Sequence, residues 1–219
     1  MKFLVILLII LGLITLVEGQ EKIVKLPEPR YKSNVSIEEA LLKRRSIRNY
    51  KNEPLTLFEI SQILWSAQGI TDKKMGFRTT PSAGALYPLE IYVVAGKVKD
   101  LEAGVYKYRP ETHDIILVLK GDKRKELYNA SLRQEWVRDA PLIIVISAIF
   151  ERTTVKYGER GIRYVYMEAG HCAQNIYLQC VSLNLGTVSV GAFHDEEVKK
   201  ILNLERKEFP LYLMPVGRK

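Results

Sequence analysis

Apolar residues recur along this chain at two periods, one helical and one of two. Ser36-Ile37-Glu38-Glu39 and Thr56-Leu57-Phe58-Glu59 are capping-box sequences. In such a box a hydroxyl and a carboxylate three residues on satisfy each other's backbone N–H groups. Ile37, Ala40 and Leu41 follow the first box, which predicts a helix to about Arg45. Ile60, Ile63, Leu64 and Ala67 share a face after the second box, and Gly69 ends that helix. A longer helix is predicted from Arg163 to about Leu183, where Val165, Ala169, Cys172, Ala173, Ile176, Cys180 and Leu183 keep helical spacing. Tyr166, Gly170, Tyr177 and Val181 add apolar surface on its other sides. A helix apolar nearly all round is buried on most sides, in the core or at a subunit interface. Asp195–Leu202 reads as a short helix with acids in its first turn and lysines in its last.

Six shorter runs are rich in Val, Ile and Tyr and bounded by Gly, Pro or Asp. They are Glu90–Ala95, Gly104–Tyr108, Ile115–Leu119, Leu142–Ile149, Thr187–Phe193 and Leu211–Val216, and they predict strands. Strands mixed with helices, some hairpin-like neighbours, give an α+β domain rather than a doubly wound one.

The N-terminus follows neither period. Met1-Lys2 precedes an apolar run from Phe3 to Val17, broken only by Gly12 and Thr15 and followed by Glu18-Gly19. This is the layout of an export signal with a cleavage site. At 15 residues the run is short of the ~20 a spanning helix needs. A cleaved signal is the first reading of residues 1–19, an uncleaved anchor the second and a buried core segment a third. The chain is therefore expected to be exported or membrane-anchored. Residues 20–35 are polar, contain Pro27 and Pro29, and read as a linker. Residues 36–219 form the folded domain.

Composition narrows the chemistry only a little. With 47% hydrophobic and 26% charged residues, the chain can bury a full core. The net charge of +8 suits an anionic partner such as phosphate, nucleic acid or an acidic membrane, or simply a solvated basic surface. Residues 1–19 carry one lysine and one glutamate, so their removal leaves it unchanged. Cys172 and Cys180, eight apart on a helix, would lie ~12 Å apart, beyond the ~7 Å a disulfide spans. They read as packing residues. His113, His171 and His194 lack metal-ligand spacing. No GxGxxG, P-loop, GxSxG or CxxC motif is present.

Three segments carry candidate chemistry. Lys43-Arg44-Arg45-Ser46-Ile47-Arg48 follows the first helix. Guanidinium forks and a hydroxyl suit a phosphate, although a solvated basic turn would read the same. Pro81-Ser82-Ala83-Gly84-Ala85-Leu86-Tyr87-Pro88 precedes a strand, and its small residues let a flat ligand approach the backbone. An ordinary turn is the plainer reading. Gly186-Thr187-Val188-Ser189-Val190-Gly191-Ala192-Phe193 ends in positions with little side chain, which suits backbone donors to a ring or simply the end of a strand.

In this order and spacing the segments resemble the nitroreductase superfamily, and within it the SagB-type dehydrogenase branch. The resemblance also rests on Gly104-Val105-Tyr106-Lys107-Tyr108, Gln134, Trp136, Ala140-Pro141 and the run Tyr157–Tyr164. Glu168-Ala169-Gly170-His171 and Gln174-Asn175 complete it, so that it spans about residues 36–217. It implies a homodimer with a mixed, mainly antiparallel sheet flanked by helices, the apolar helix at the dimer interface and one FMN in each of two interface sites. It implies that Arg44, Ser46 and Arg48 hold the FMN phosphate and ribityl chain, with Arg45 adjacent. Ser82, Ala83, Gly84 and Leu86 would reach the flavin from the other subunit, and Gly191 and Ala192 would face the ring near N5. Arg218 is similar to a further phosphate contact, although many relatives carry a longer tail there. The implied reaction is a ping-pong hydride relay through N5, from NADH or NADPH to a small molecule or a peptide azoline. The cofactor carries the chemistry while the protein positions and tunes it, and no side chain is assigned as acid or base. The alternative is a protein that binds or consumes flavin without turnover. A nucleic-acid-binding domain is disfavoured, because no aromatic residues interleave with the basic ones.

Overall fold

The computed structural model describes residues 22–219, so the expected export segment lies outside the described residues. The chain runs β1 (Ile23–Lys25), α1 (Ile37–Lys43), α2 (Leu57–Gln68), β2 (Ile70–Asp72), β3 (Phe77–Arg78), β4 (Leu89–Ala95), β5 (Gly104–Arg109) and β6 (Asp114–Lys120). It continues with α3 (Arg124–Ala130), α4 (Glu135–Asp139), β7 (Leu142–Ala148), α5 (Glu151–Tyr157), α6 (Arg160–Ser182), β8 (Leu185–Thr187), α7 (Asp195–Leu202) and β9 (Phe209–Arg218). Seven strands form one sheet in the order β1-β6-β5-β4-β7-β9-β8, and each neighbouring pair is antiparallel. This is the expected α+β architecture.

Why Ile91–Ala95 of β4 and Leu142–Ile146 of β7 read as unbroken apolar runs is clear from their two faces. Side chains alternate across a strand. Ile91, Val93, Ile144 and Ile146 enter one core with α2 and α6. Tyr92, Val94, Ile143 and Val145 enter a second core with α3, α4 and α7. Helices cover both faces, so neither set of positions needs to be polar.

The capping box of α2 is complete in both directions, and Ser36 caps α1 through a bond from the Glu39 N–H. Cys172 and Cys180 are buried and unbridged, and burial pushes both thiols up.

Three regions differ from expectation. Within residues 20–35, Ile23–Lys25 adds an edge strand to β6, with Ile23 opposite Ile116. The prolines follow this strand rather than interrupt it, and Leu26 beyond it is buried. The run Thr187–Phe193 is not one strand: the ladder with β9 covers Leu185–Thr187. The Ser189 N–H leaves it to bond the Tyr177 hydroxyl at 2.8 Å. Helices α3, α4 and α5 are short and carry no side-chain cap bond, so neither periodicity nor caps announced them.

Candidate active site

After α1 ends, the chain runs extended along the open edge of β8. Ser46 bridges Thr187 in parallel, and the Ile47 N–H bonds the Thr187 carbonyl at 2.9 Å. Two glycines make this passage possible. Gly186 and Gly217 face each other across β8 and β9. A Cβ on Gly186 would stand 2.6 Å from Ile47 Cγ2, and one on Gly217 would stand 2.8 Å from Tyr50 Cβ. The Tyr50 hydroxyl donates to the Ile47 carbonyl at 2.7 Å and locks the turn.

The cationic side chains are placed by aromatic faces. The Arg44 guanidinium lies 5.2 Å from the Tyr177 ring centroid, and that of Arg48 lies 5.2 Å from the Trp136 ring. Cation–π contacts position a guanidinium without neutralising it. Among the described residues neither arginine forms a salt bridge. Arg45 instead folds back to the carbonyls of Leu42 and Arg44. Ser46 Oγ lies 3.1 Å from the Tyr177 hydroxyl. The Trp136 Nε1 and Thr187 Oγ1 atoms are buried without a partner among the described residues. Two guanidinia without carboxylate partners and the exposed Ser46 form a cradle that suits a phosphoryl group on a small ligand.

Gly191 and Ala192 follow the isolated bridge of Val190 to Leu213, beyond the end of β8. Gln134 donates to the Ala192 carbonyl at 2.8 Å and fixes the backbone there. Gly191 and Ala192 are exposed. A Cβ on Gly191 would meet Tyr212 at 3.7 Å, ordinary van der Waals contact, so a small side chain could be carried there without a clash. Arg218 is committed elsewhere. Its two terminal nitrogens bond the Glu59 carboxylate at 2.9 and 3.1 Å, and Glu53 lies 3.5 Å from its Nε. In this arrangement it ties the end of β9 to the start of α2.

The segment 82–87 has different partners. Gly84, Ala85 and Tyr87 all have positive φ, at 65°, 55° and 45°. That is strained for the two non-glycine residues. Packing holds them. The Tyr87 N–H bonds Ser82 Oγ at 2.9 Å, and Arg152 donates to the Tyr87 carbonyl at 3.0 Å. Arg78 stacks 4.6 Å from the Tyr87 ring centroid. A Cβ on Gly84 would stand 2.8 Å from the Tyr157 hydroxyl and 3.0 Å from Lys156 Nζ, so only glycine lets these groups come so near. Beneath the loop the buried Glu168 carboxylate faces Ser82.

The two halves therefore attach to different parts of α6, the cradle through Tyr177 and the loop through Glu168. Nine residues along a helix separate them by ~14 Å. Sequence reasoning missed Tyr177, Ser189, Lys156 and Glu168 as site residues. Glu168 carried a signal: it falls on the stripe of Val165, Ala169 and Cys172, where a charged residue is rarely buried unless paired.

An antiparallel sheet covered by helices on both faces, with two arginines lacking carboxylate partners near its edge, defines an α+β domain. Residues 41–218 match the model of the nitroreductase family. A protein named as a nitroreductase, MJ1384 of Methanocaldococcus jannaschii, is 55% identical over 185 residues, covering 84% of this chain and 92% of its own. The microcin B17-processing protein McbC of Escherichia coli is 28% identical over 159 residues, 70% of this chain and 58% of its own. The crystal structure of a protein named as a nitroreductase from Ralstonia eutropha superposes with a TM-score of 0.80 at 30% identity, covering 90% of this chain and 89% of that one. The chain belongs to the nitroreductase family and is an oxidoreductase.

Proposed function

We propose that this oxidoreductase is a homodimer that uses FMN to pass hydride from NADH or NADPH to a small molecule or a peptide azoline, by a ping-pong route. The observation that carries the reading is the pair of guanidinia, Arg44 and Arg48, that no carboxylate among the described residues neutralises. Arg44, Ser46 and Arg48 would hold the phosphate, and Gly191 and Ala192 would lie against the ring. Bound FMN would supply the two-electron chemistry at N5. The protein's part is to grip the phosphate, keep the ring against the Gly191-Ala192 segment and leave one face open to the donor and then the acceptor. Arg218, held by Glu59, would steady the sheet edge and reach the phosphate only by releasing that carboxylate.

The dimer completes the site in this reading. The 82–87 loop lies apart from the cradle within one chain, and Ser82, Ala83, Gly84 and Leu86 would meet the partner's flavin. Apolar side chains left on the outer faces of α1 and α6 support this: Ile37, Leu41, Leu42, Ile162, Tyr166 and Met167 are exposed. Such patches mark association surfaces. Export or anchoring through residues 1–19 remains part of the proposal.

The test is an absorption spectrum of purified protein, followed by anaerobic titration with each nicotinamide. A yellow protein that releases FMN on denaturation and bleaches with NADH or NADPH is expected. A colourless protein that takes up no FMN overturns the reading. Bound FMN that neither nicotinamide reduces favours binding without turnover.

A further inference from the structure

The backbone from Ser189 to His194 is tied at both ends and bare in the middle. The Ser189 N–H bonds the Tyr177 hydroxyl at 2.8 Å. The Val190 N–H bonds the Leu213 carbonyl at 2.8 Å, and the His194 N–H bonds the Ala130 carbonyl at 2.9 Å. Among the described residues the N–H groups of Gly191, Ala192 and Phe193 donate to nothing. A backbone N–H is an obligatory donor, so three in a row are offered to water or to a ligand. The side chain that holds this stretch is Gln134. Its Nε2 donates to the Ala192 carbonyl at 2.8 Å and to the Ser131 carbonyl at 2.9 Å. Both partners only accept, so the amide nitrogen must be the atom that faces them. Gln134 stands before α4 without capping it, on a turn where Leu132 and Arg133 have φ of 55° and 56°. The Arg133 N–H bonds the Tyr128 carbonyl at 3.0 Å, and the Gln134 N–H bonds that of Ser131 at 3.2 Å. Strained residues persist where their surroundings over-determine them, so the turn is a firm base. Two residues on, the Trp136 ring lies 5.2 Å from the Arg48 guanidinium. One corner thus holds a group from each of the two segments. Phe193 packs against the second core, which anchors its side chain, while the peptide plane before it is set by Gln134.

We infer that Gln134 is a positioning residue, which fixes the orientation of the 192–193 peptide and with it the direction in which the Phe193 N–H is offered. It rests on the FMN reading for what that donor row meets, the flavin ring. A trans peptide is planar, and its C=O and N–H point opposite ways. The Ala192 carbonyl faces the corner between α3 and α4, so the Phe193 N–H points away from that corner. Without the Gln134 donor the carbonyl loses this partner, and the plane can turn about the soft dihedrals on either side of it. A turned plane puts an acceptor where a donor had stood. The contact with the ring then weakens while Arg44 and Arg48 keep their places on Tyr177 and Trp136.

The experiment compares the full chain as wild type, Gln134→Ala and Gln134→Glu at one pH near 7.5. FMN and riboflavin affinities are measured by fluorescence titration, and the His194 and Ile176 amides are followed by hydrogen exchange without flavin. In Gln134→Ala both flavins should bind about three- to tenfold more weakly, and by the same factor, because the ring contact is what suffers. Glu is close to Gln in shape, but ionised it only accepts and meets two carbonyls. Gln134→Glu should therefore lose at least as much as Gln134→Ala, whereas a residue that merely fills space would tolerate it. At saturating FMN the visible flavin band should move in both variants, which lowered stability alone does not produce. His194 protection should fall at least about threefold more than that of Ile176, whose amide in α6 reports the whole fold. Riboflavin affinity in Gln134→Glu within a factor of about two of wild type, an unmoved band in both variants, or unchanged His194 protection overturns the inference. If wild type binds no flavin while His194 protection falls as expected in both variants, the FMN reading fails and the hold of Gln134 on the 192–193 peptide stands.

Discussion

The cradle at Arg44–Arg48 and the loop at Ser82–Tyr87 are built on opposite principles. The cradle is extended chain laid on a bare glycine pair, its cations held by ring faces and left without carboxylates. The loop is strained chain held from below and behind by Glu168, Arg78 and Arg152. The cradle's specificity lies in which residues it contains. The loop's lies in where distant residues hold it. A ligand-gripping surface tolerates open space, whereas a strained segment persists only when its surroundings over-determine it.

Helix α6 supports both, and breaking it should abolish the contrast. Ala173 is 4% exposed in the core shared with α2 and the sheet. Ala173→Glu buries an unpaired charge, expected to cost roughly 3–5 kcal/mol. Tm by calorimetry should fall by about 10 °C, with loss of binding at both regions. A change under ~2 °C would show that the helix packs differently.

A smaller perturbation separates the regions. Gly186→Ala puts a Cβ 2.6 Å from Ile47. Overpacking of this kind costs about 1–3 kcal/mol. FMN affinity measured by fluorescence titration should drop about tenfold, while Tyr87 amide protection stays at the wild-type level. Equal damage to both would mean that the two regions are not independent.

The smallest expected effect sharpens the loop's side. The folded-state pKa of Glu168 is about 7, above the ordinary value of 4.5. Between these values the native state holds a proton that the unfolded state has lost, so stability falls as pH rises. The contribution is full below about 4.5 and gone above about 7. Wild-type Tm should therefore decline by a few degrees more than that of Glu168→Gln between pH 5 and 8. Parallel Tm curves would contradict the buried-carboxylate account.

The same contrast governs what the chain disclosed before its fold. Capping boxes, the β4 and β7 runs and the buried stripe of α6 are local patterns, and all were legible. So were the residue types of the proposed cradle, since adjacent arginines and a serine are the side chains that suit a phosphate. The edge strand Ile23–Lys25 was not, since its three residues gain their structure only from β6. The end of β8 at Thr187 depends on Tyr177, twelve residues from Ser189 in sequence, capturing the Ser189 N–H. The supports of the 82–87 loop come from α5, α6 and β3, and no window of sequence contains them together. Arg218 showed the right residue type for a phosphate contact, but its pairing with Glu59 is fixed by two elements meeting across the chain.

The central claim is that Arg44 and Arg48 grip a phosphate, and paired affinities of FMN and riboflavin test it most directly. Each charge-assisted contact is worth roughly 1.5–3 kcal/mol. Arg48→Ala should thus weaken FMN binding by about one to two orders of magnitude, with Arg48→Lys between it and wild type because charge survives without the fork. Riboflavin, which lacks the phosphate, should bind wild type and both variants alike. FMN affinity that stays within a factor of about two in Arg48→Ala, or FMN and riboflavin affinities that fall together, would contradict the account.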